Sequence, residues 1–242
     1  MKSRYLFLFL LLFGFSCNHG QHGGFTIRGQ FSNASGQKVV LCEMGVKEVV
    51  ALDSANISKE GNVSFSHPLD QPGFYLLIFP DGRRITLVMK SGEDLQISGN
   101  LNDPAGDLRY SGSEETVLLQ DFFRANLKNK ARIDSVKRKL LSREGSEDFL
   151  KFGMTADSLF FRISGDQKKL EKDFIDRHPD ALSSLIVLNY SFGPKPVLTL
   201  EEDLPYYRKL TGLHRIYPEN KHVIYHLERV SLFLDSKKHP SN

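Results

Sequence analysis

The sequence predicts an α+β protein, with an N-terminal antiparallel β-sandwich or barrel-like domain over 25–112 and an α-helical domain over 113–235. Three observations predict it. From Phe25 to about Ser111, short apolar runs alternate with polar residues at a period of two and are set apart by Gly, Pro, Asp and Asn. After Ser113 the apolar positions fall at helical spacing instead. The period changes once, near Gly112, so strands and helices are segregated, not interleaved as in a βαβ chain. No solenoid repeat runs through the sequence.

In chain order, Lys2 and Arg4 precede the apolar run Tyr5 to Phe15. That run suits the core of a secretion signal and is well short of the roughly 20 residues a membrane-spanning helix needs. Ser16 followed by Cys17 resembles a bacterial lipobox. The resemblance implies cleavage after a 1–16 signal peptide, lipid on the Cys17 thiol and an outer-membrane protein facing the periplasm. Residues 17–24, CNHGQHGG, are read as linker, too flexible to hold a metal on Cys17, His19 and His22.

The strands follow. FTIRGQF alternates at Phe25, Ile27 and Phe31, with Gly29 read as a kink or bulge. VVLCEM, VVALDSANI, NVSFSH, FYLLIF, RITLVM and LQISG continue the β pattern. Pro80, Asp81 and Gly82 join two apolar runs as a hairpin, and SKEG predicts a second one turning at Gly61.

The helical half opens with Glu114 and Glu115, whose charge suits a helix N-terminus, followed by Leu119, Phe122, Phe123, Asn126, Ile133, Val136 and Leu140 on one face. Gly145 separates a second helix, which Gly165 divides. A third, evenly apolar helix from Pro179 through DALSSLIVLNYSF is expected to be buried. Thr199 and Glu202 form a capping box for a fourth, and Pro218 opens a fifth carrying Val223, Leu227, Val230 and Leu234. Residues 236–242 are expected to fray.

Charge excludes one class of partner. The 242-residue chain has a formal charge of +3, but losing Lys2 and Arg4 leaves 30 basic and 29 acidic residues. A near-neutral exported protein is not expected to bind nucleic acid. Charge does concentrate locally, because RANLKNKARIDSVKRKLLSR places many cations around Asp134. Lys128, Arg132, Lys137, Arg138 and Lys139 make a candidate docking face for anionic lipid or an acidic protein, against the simpler reading of a solvated helix face.

His222 and His226 stand four apart and share a helix face, the spacing of a zinc pair, with His214 not far off in sequence. No third ligand can be named and the glutamate of a metalloprotease helix is missing. The expectation is therefore a solvent-facing polar stripe and no metal. Adjacent carboxylates at Glu93–Asp94, Glu114–Glu115 and Glu201–Glu202 do not face one another and make no acid/base dyad. Phe74 and Tyr75 are read as core, not as a ligand platform. Cys42 is read as a small buried hydrophobe. No C-x-x-C, G-x-S-x-G, H-E-x-x-H or P-loop occurs, so neither a catalytic residue nor a cofactor is expected.

Several stretches resemble a known family: FTIRGQF, VVLCEM, LDSANISKEGNVSFSHPL, PGFYLLIF and LVMKSGEDLQISGN, with DFIDRHPDALSSLIVLNY further on. They are similar to the β-rich N-terminal domain of unknown function of Bacteroidetes lipoproteins. There it often precedes a helical spacer and a thioredoxin-like domain of thiol:disulfide interchange proteins. The C-x-x-C of that domain is absent here, and Cys42 alone does not replace a dithiol. The resemblance implies a module that tethers, spaces and recognises. The expectation is a lipid-anchored binding or scaffold protein without catalysis of its own, its partners the membrane and an envelope protein. Two alternatives remain: an accessory that docks a thioredoxin-like protein or its clients, and a hydrolase or metal enzyme with a site scattered in sequence.

Overall fold

The computed structural model describes residues 23–102, 107–191 and 196–238. The leader, Cys17, His19 and His22 lie outside the described residues. Strands β1 (Gly24–Ser32), β4 (Asn62–Pro68), β7 (Asp94–Asn100) and β8 (Arg109–Ser111) form one sheet in the order β4-β1-β7-β8. Strands β2 (Lys38–Met44), β3 (Val49–Asn56), β5 (Gly73–Ile78) and β6 (Arg84–Met89) form a second in the order β3-β2-β5-β6. The alternating positions meet between the sheets: Phe25, Ile27 and Phe31 from β1, Leu41 from β2, Leu77 from β5, Leu87 from β6 and Ile97 from β7 are all in one core.

Three strand readings need correction. The sandwich is mostly antiparallel, but β1 and β7 run parallel, with Ile27 opposite Leu95; the whole second sheet intervenes in sequence, so the chain can return in the same direction. Gly29 is no bulge, because β1 pairs without a break on both sides. A side chain there would sit 2.4 Å from the Phe31 ring and 2.8 Å from Val63, so glycine makes room for the core. The irregularity lies instead between Leu41 and Cys42 in β2. The SKEG turn is also not a hairpin within one sheet. Gly61, at φ +89°, lies against the Phe31 backbone and accepts its N–H, sending β4 across to pair with β1 while β3 stays with β2.

The β5–β6 hairpin forms as predicted. Asp81 accepts from the Arg83 N–H at 3.0 Å and Gly82 takes φ +83°. Strand β5 is buried on both faces: Tyr75 points into the sandwich, edge-on to Phe25, and Phe74 points outward.

The helices cover that outer face. Helix α1 (Glu114–Leu141) and α2 (Phe149–Arg177) form an antiparallel pair, and α3 (Ser183–Leu188), α4 (Leu200–Leu210) and α5 (Lys221–Lys238) pack beside its base. Their core takes in Phe74 and Val88 of the second sheet with Leu119, Phe122, Phe174, Leu185, Tyr207 and Val223. Hydrophobic packing thus crosses the 112/113 boundary. The junction is also stitched by hydrogen bonds. Ser113, the N-cap of α1, and Thr116 both donate to the Val88 carbonyl, at 2.9 and 2.7 Å, and Thr116 Oγ1 accepts from the Val88 N–H at 3.0 Å.

Helix boundaries follow local chemistry that the pattern alone missed. Gly165 does not divide α2; it faces open space and costs about 1 kcal/mol of helix propensity. Only Ser183–Leu188 of the third segment is helical, and it is buried as expected. At α4, Thr199 Oγ1 accepts from Glu202 N–H, but the return bond to Thr199 N–H comes from Asp203, not Glu202. Helix α5 starts at Lys221, where Asn220 Oδ1 accepts from the His222 and Val223 N–H groups, and continues to Lys238 within the stretch expected to fray.

Candidate functional site

The residues predicted for chemistry separate into a histidine pocket, a scattered set of cations and a cleft that sequence reasoning did not assemble.

His222 and His226 are not a solvent-facing stripe. They share a face, as predicted, but it packs inward: the His222 ring lies 4.5 Å from the Phe74 ring, and His226 Nε2 is 2.8 Å from the Tyr207 carbonyl. Both line a pocket of about 340 Å³ with Met44, Tyr225 and Arg229. Burial lowers both imidazole pKa values, and nearby Lys221 and Arg229 add to the effect, favouring the neutral rings. His222 Nε2 and His226 Nδ1 have no hydrogen-bond partner. Among the described residues no three His, Cys, Asp or Glu side chains gather around a metal position, and the Arg229 guanidinium in the same pocket repels a cation. His214 is exposed on the 3₁₀ turn Thr211–Arg215.

The five candidate docking cations do not share a face. At 100° per residue Lys128 and Lys137 point to opposite sides of α1. Lys128, Lys137, Arg138 and Lys139 are exposed, whereas Arg132 leans on α2 and pairs with Asp166 at 2.5 Å. A different exposed feature lies on α2: Leu150, Met154 and Phe161, spaced to lie on one side, are 81%, 76% and 84% exposed.

The same helix α1 turns another side toward the sandwich, and there a cleft of about 400 Å³ opens. Its sheet wall comes from Phe79, Arg83, Arg84, Ile85 and Thr86 at the β5–β6 hairpin, with Leu101, Leu108 and Tyr110 around β8. Its helix wall is Gln120, Phe123, Arg124, Asn126, Leu127 and Lys130, which span one face of α1, and Tyr190 closes one end. Phe122, Phe123 and Tyr190 pack as a ring cluster, with Tyr190 at 5.6 and 6.2 Å from the two phenylalanines. Gln120 donates to the Thr86 carbonyl at 2.7 Å, tying the walls together. Burial raises the Tyr110 pKa, so its phenol stays protonated.

Among the described residues, four cationic side chains line this cleft and no carboxylate does. Two are countered from outside it. Arg83 pairs with Asp81 at 2.5 Å, and Arg124 pairs with Asp121 at 2.7 Å while also reaching the Leu108 carbonyl. Arg84 and Lys130, on opposing walls, make no ion pair within the described residues. On the floor, Asn126 is buried; its side-chain N–H donates to the Tyr190 hydroxyl while its Oδ1 has no partner.

The buried carboxylates hold helices in place. Glu115 accepts the N–H groups of Leu182 and Ser183 at 2.8 and 2.9 Å, capping α3, and draws Lys90 Nζ to 3.4 Å. Replacing Glu115 by alanine would strand two buried N–H donors. The expected loss is about 2 kcal/mol, read as a lowered urea midpoint, with Glu115→Gln losing less because one acceptor remains. Asp203 is held between Lys168 and Lys172, at 2.9 and 2.8 Å. Glu171 accepts from Gln167 at 2.9 Å, and Gln167 in turn accepts from Asn129 at 3.1 Å. Cys42 is buried, which raises its thiol pKa, as a small hydrophobe would have it.

Residues 25–119 match the family described as Domain of unknown function (DUF4369). The matched stretch runs past the last strand into α1, ending beyond the Ser113 and Thr116 bonds that fix that helix to β6. Among solved structures, an NMR structure of a protein from Eubacterium rectale is similar over 40% of this chain and 95% of that chain, at 16% identity and a TM-score of 0.24. No curated protein matches the chain.

Proposed function

We propose that this protein is a lipid-anchored binding module of the cell envelope, held at the outer membrane facing the periplasm and without catalytic activity of its own. The observation that carries the binding reading is the cleft between the β5–β6 hairpin and α1, with apolar rings below and two cations, Arg84 and Lys130, that make no ion pair among the described residues. The structural roles of two buried carboxylates support binding over catalysis: Glu115 holds α3 and Asp203 holds α4 to α2. The anchor reading rests on Ser16–Cys17 behind the Tyr5–Phe15 run.

Replacing Cys17 by serine is expected to abolish incorporation of labelled fatty acid and move the protein from membrane to soluble fractions; unchanged fractionation defeats the anchor. Crosslinking in cells, followed by identification of what is captured, tests the binding reading. Capture of nothing beyond bulk envelope proteins, together with no small-molecule ligand for the cleft, would remove it.

A second reading is favoured by one observation. The Leu150, Met154 and Phe161 stripe offers an apolar contact for a partner protein. Under the accessory reading, that partner is a separately encoded thioredoxin-like protein. Capture of such a protein, lost on Met154→Lys with Phe161→Lys, would select this reading.

A further inference from the structure

We propose that the cleft between the β5–β6 hairpin and α1 binds an amphiphilic carboxylate: an anionic head at Arg84 and Lys130, and an apolar body carrying one hydroxyl. This deepens the binding-module reading and rests on it.

Four features of the cleft argue for that chemistry. The volume of about 400 Å³ falls within the roughly 300–1,000 Å³ usual for small-molecule sites. The floor is apolar, built from Phe79, Ile85, Leu108, Phe123 and Leu127. A purely polar anion would leave that surface wet and gain nothing from it. The sign of the charge follows from the lining, where cations stand on both walls and, among the described residues, no carboxylate does. With Arg83 and Arg124 already countered by Asp81 and Asp121, a single negative group suffices for Arg84 and Lys130. The fourth feature is Asn126 Oδ1, an acceptor buried without a partner. Leaving such a group unmet is costly, and a ligand hydroxyl that donates to it recovers the loss. Asn126 lies four residues before Lys130, about 6 Å along the helix, so the hydroxyl belongs a few bonds from the anionic head.

Calorimetric titration of the purified full-length chain tests this with 3-hydroxydodecanoate, dodecanoate, dodecanol and inorganic phosphate. The hydroxy acid is expected to bind saturably and tightest. Dodecanol should bind at least roughly tenfold more weakly, since it forfeits charge-assisted bonds, and phosphate alone should give no isotherm. The double variant Arg84→Glu with Lys130→Glu should lose at least roughly tenfold for the hydroxy acid. Both positions are exposed, so an unchanged circular dichroism melt is expected to accompany that loss. Equal affinity for dodecanol, undiminished binding by the charge-reversed variant, or a phosphate isotherm matching the amphiphile overturns the proposal; equal affinity for dodecanoate overturns the role of Asn126. If no amphiphile binds while crosslinked partners persist, the ligand class fails and the binding module stands. If both are missing, both fail.

Discussion

Replacing Glu171 by glutamine is expected to stabilise the protein, by an amount that grows as pH rises from about 5 to 9. The cause is burial. Glu171 has no exposed surface, one oxygen accepts from Gln167, and the other has no partner. Desolvation raises its pKa from 4.5 to about 8, with the charge of Asp203 adding to the effect. A carboxyl that binds its proton more tightly when folded stabilises the fold least at high pH. Below pH 4.5 both states are protonated and the group is neutral to stability. Between 4.5 and 8 the unfolded chain ionises first, so stability falls as pH rises, and above 8 the loss is complete. At about 1.4 kcal/mol per pKa unit, the full loss approaches roughly 5 kcal/mol, with roughly 3 already present at pH 7. Glutamine keeps an acceptor for Gln167 and cannot ionise. Urea denaturation at pH 5, 7 and 9 should therefore show wild type and Glu171→Gln close together at pH 5 and diverging steadily above. A constant gap across that range would mean that Glu171 has an ordinary pKa.

Glu171 also marks where the sequence stops being readable. Apolar periodicity located the strands from Phe25 to Ile97 and the paired long helices, because burial imposes a period directly on residue type. Turn chemistry located the β5–β6 hairpin at Asp81 and Gly82 for the same local reason. What failed were relations between distant segments. The parallel β1–β7 pair depends on a partner some 70 residues away, and nothing local in LQISG announces it. The SKEG turn has hairpin chemistry, yet the approach of Gly61 to Phe31 directs the next strand into the other sheet. The site shows the same limit. The basic run lies on the helix that lines the cleft, but its five candidate cations ring that helix, whereas Arg124 and Lys130 share the side that meets Arg84 of β6. The histidine pair shares one face, as its spacing predicts, but that face packs inward, since a four-residue spacing fixes relative direction and not which side is buried. A readable signal for Glu115 did exist. A glutamate at the second helical position suits the helix dipole, and its side chain also reaches a helix start nearly 70 residues on.

Asp203 is expected to be the most damaging single polar site to empty. It is 1% exposed and holds three donors: Lys168, Lys172 and the Thr199 N–H at 3.1 Å. Burial works against its ionisation, but bonds from Lys172 and Lys168 win and leave its pKa lowered. Alanine would leave the Thr199 N–H without its acceptor and two lysines facing each other, for which about 3 kcal/mol is a fair expectation, the low end for a broken buried pair, because both lysines can turn to water. Asparagine should cost less, since an amide oxygen can still accept from Thr199. The sign of the pH effect is opposite to that of Glu171: with a lowered folded pKa, this contribution is present above the ordinary carboxylate pKa and is lost as pH falls through the folded value. The two sites are also coupled, because the Asp203 charge is one reason Glu171 resists ionisation. At pH 9, where Glu171 is charged, Asp203→Asn relieves a repulsion that is absent in a Glu171→Gln background. The aspartate substitution should therefore cost more in that background than in wild type at pH 9, and the same in both at pH 5.5. A double-mutant cycle by urea denaturation at the two pH values measures this, and a coupling that does not change with pH would show that the two carboxylates do not sense each other's charge.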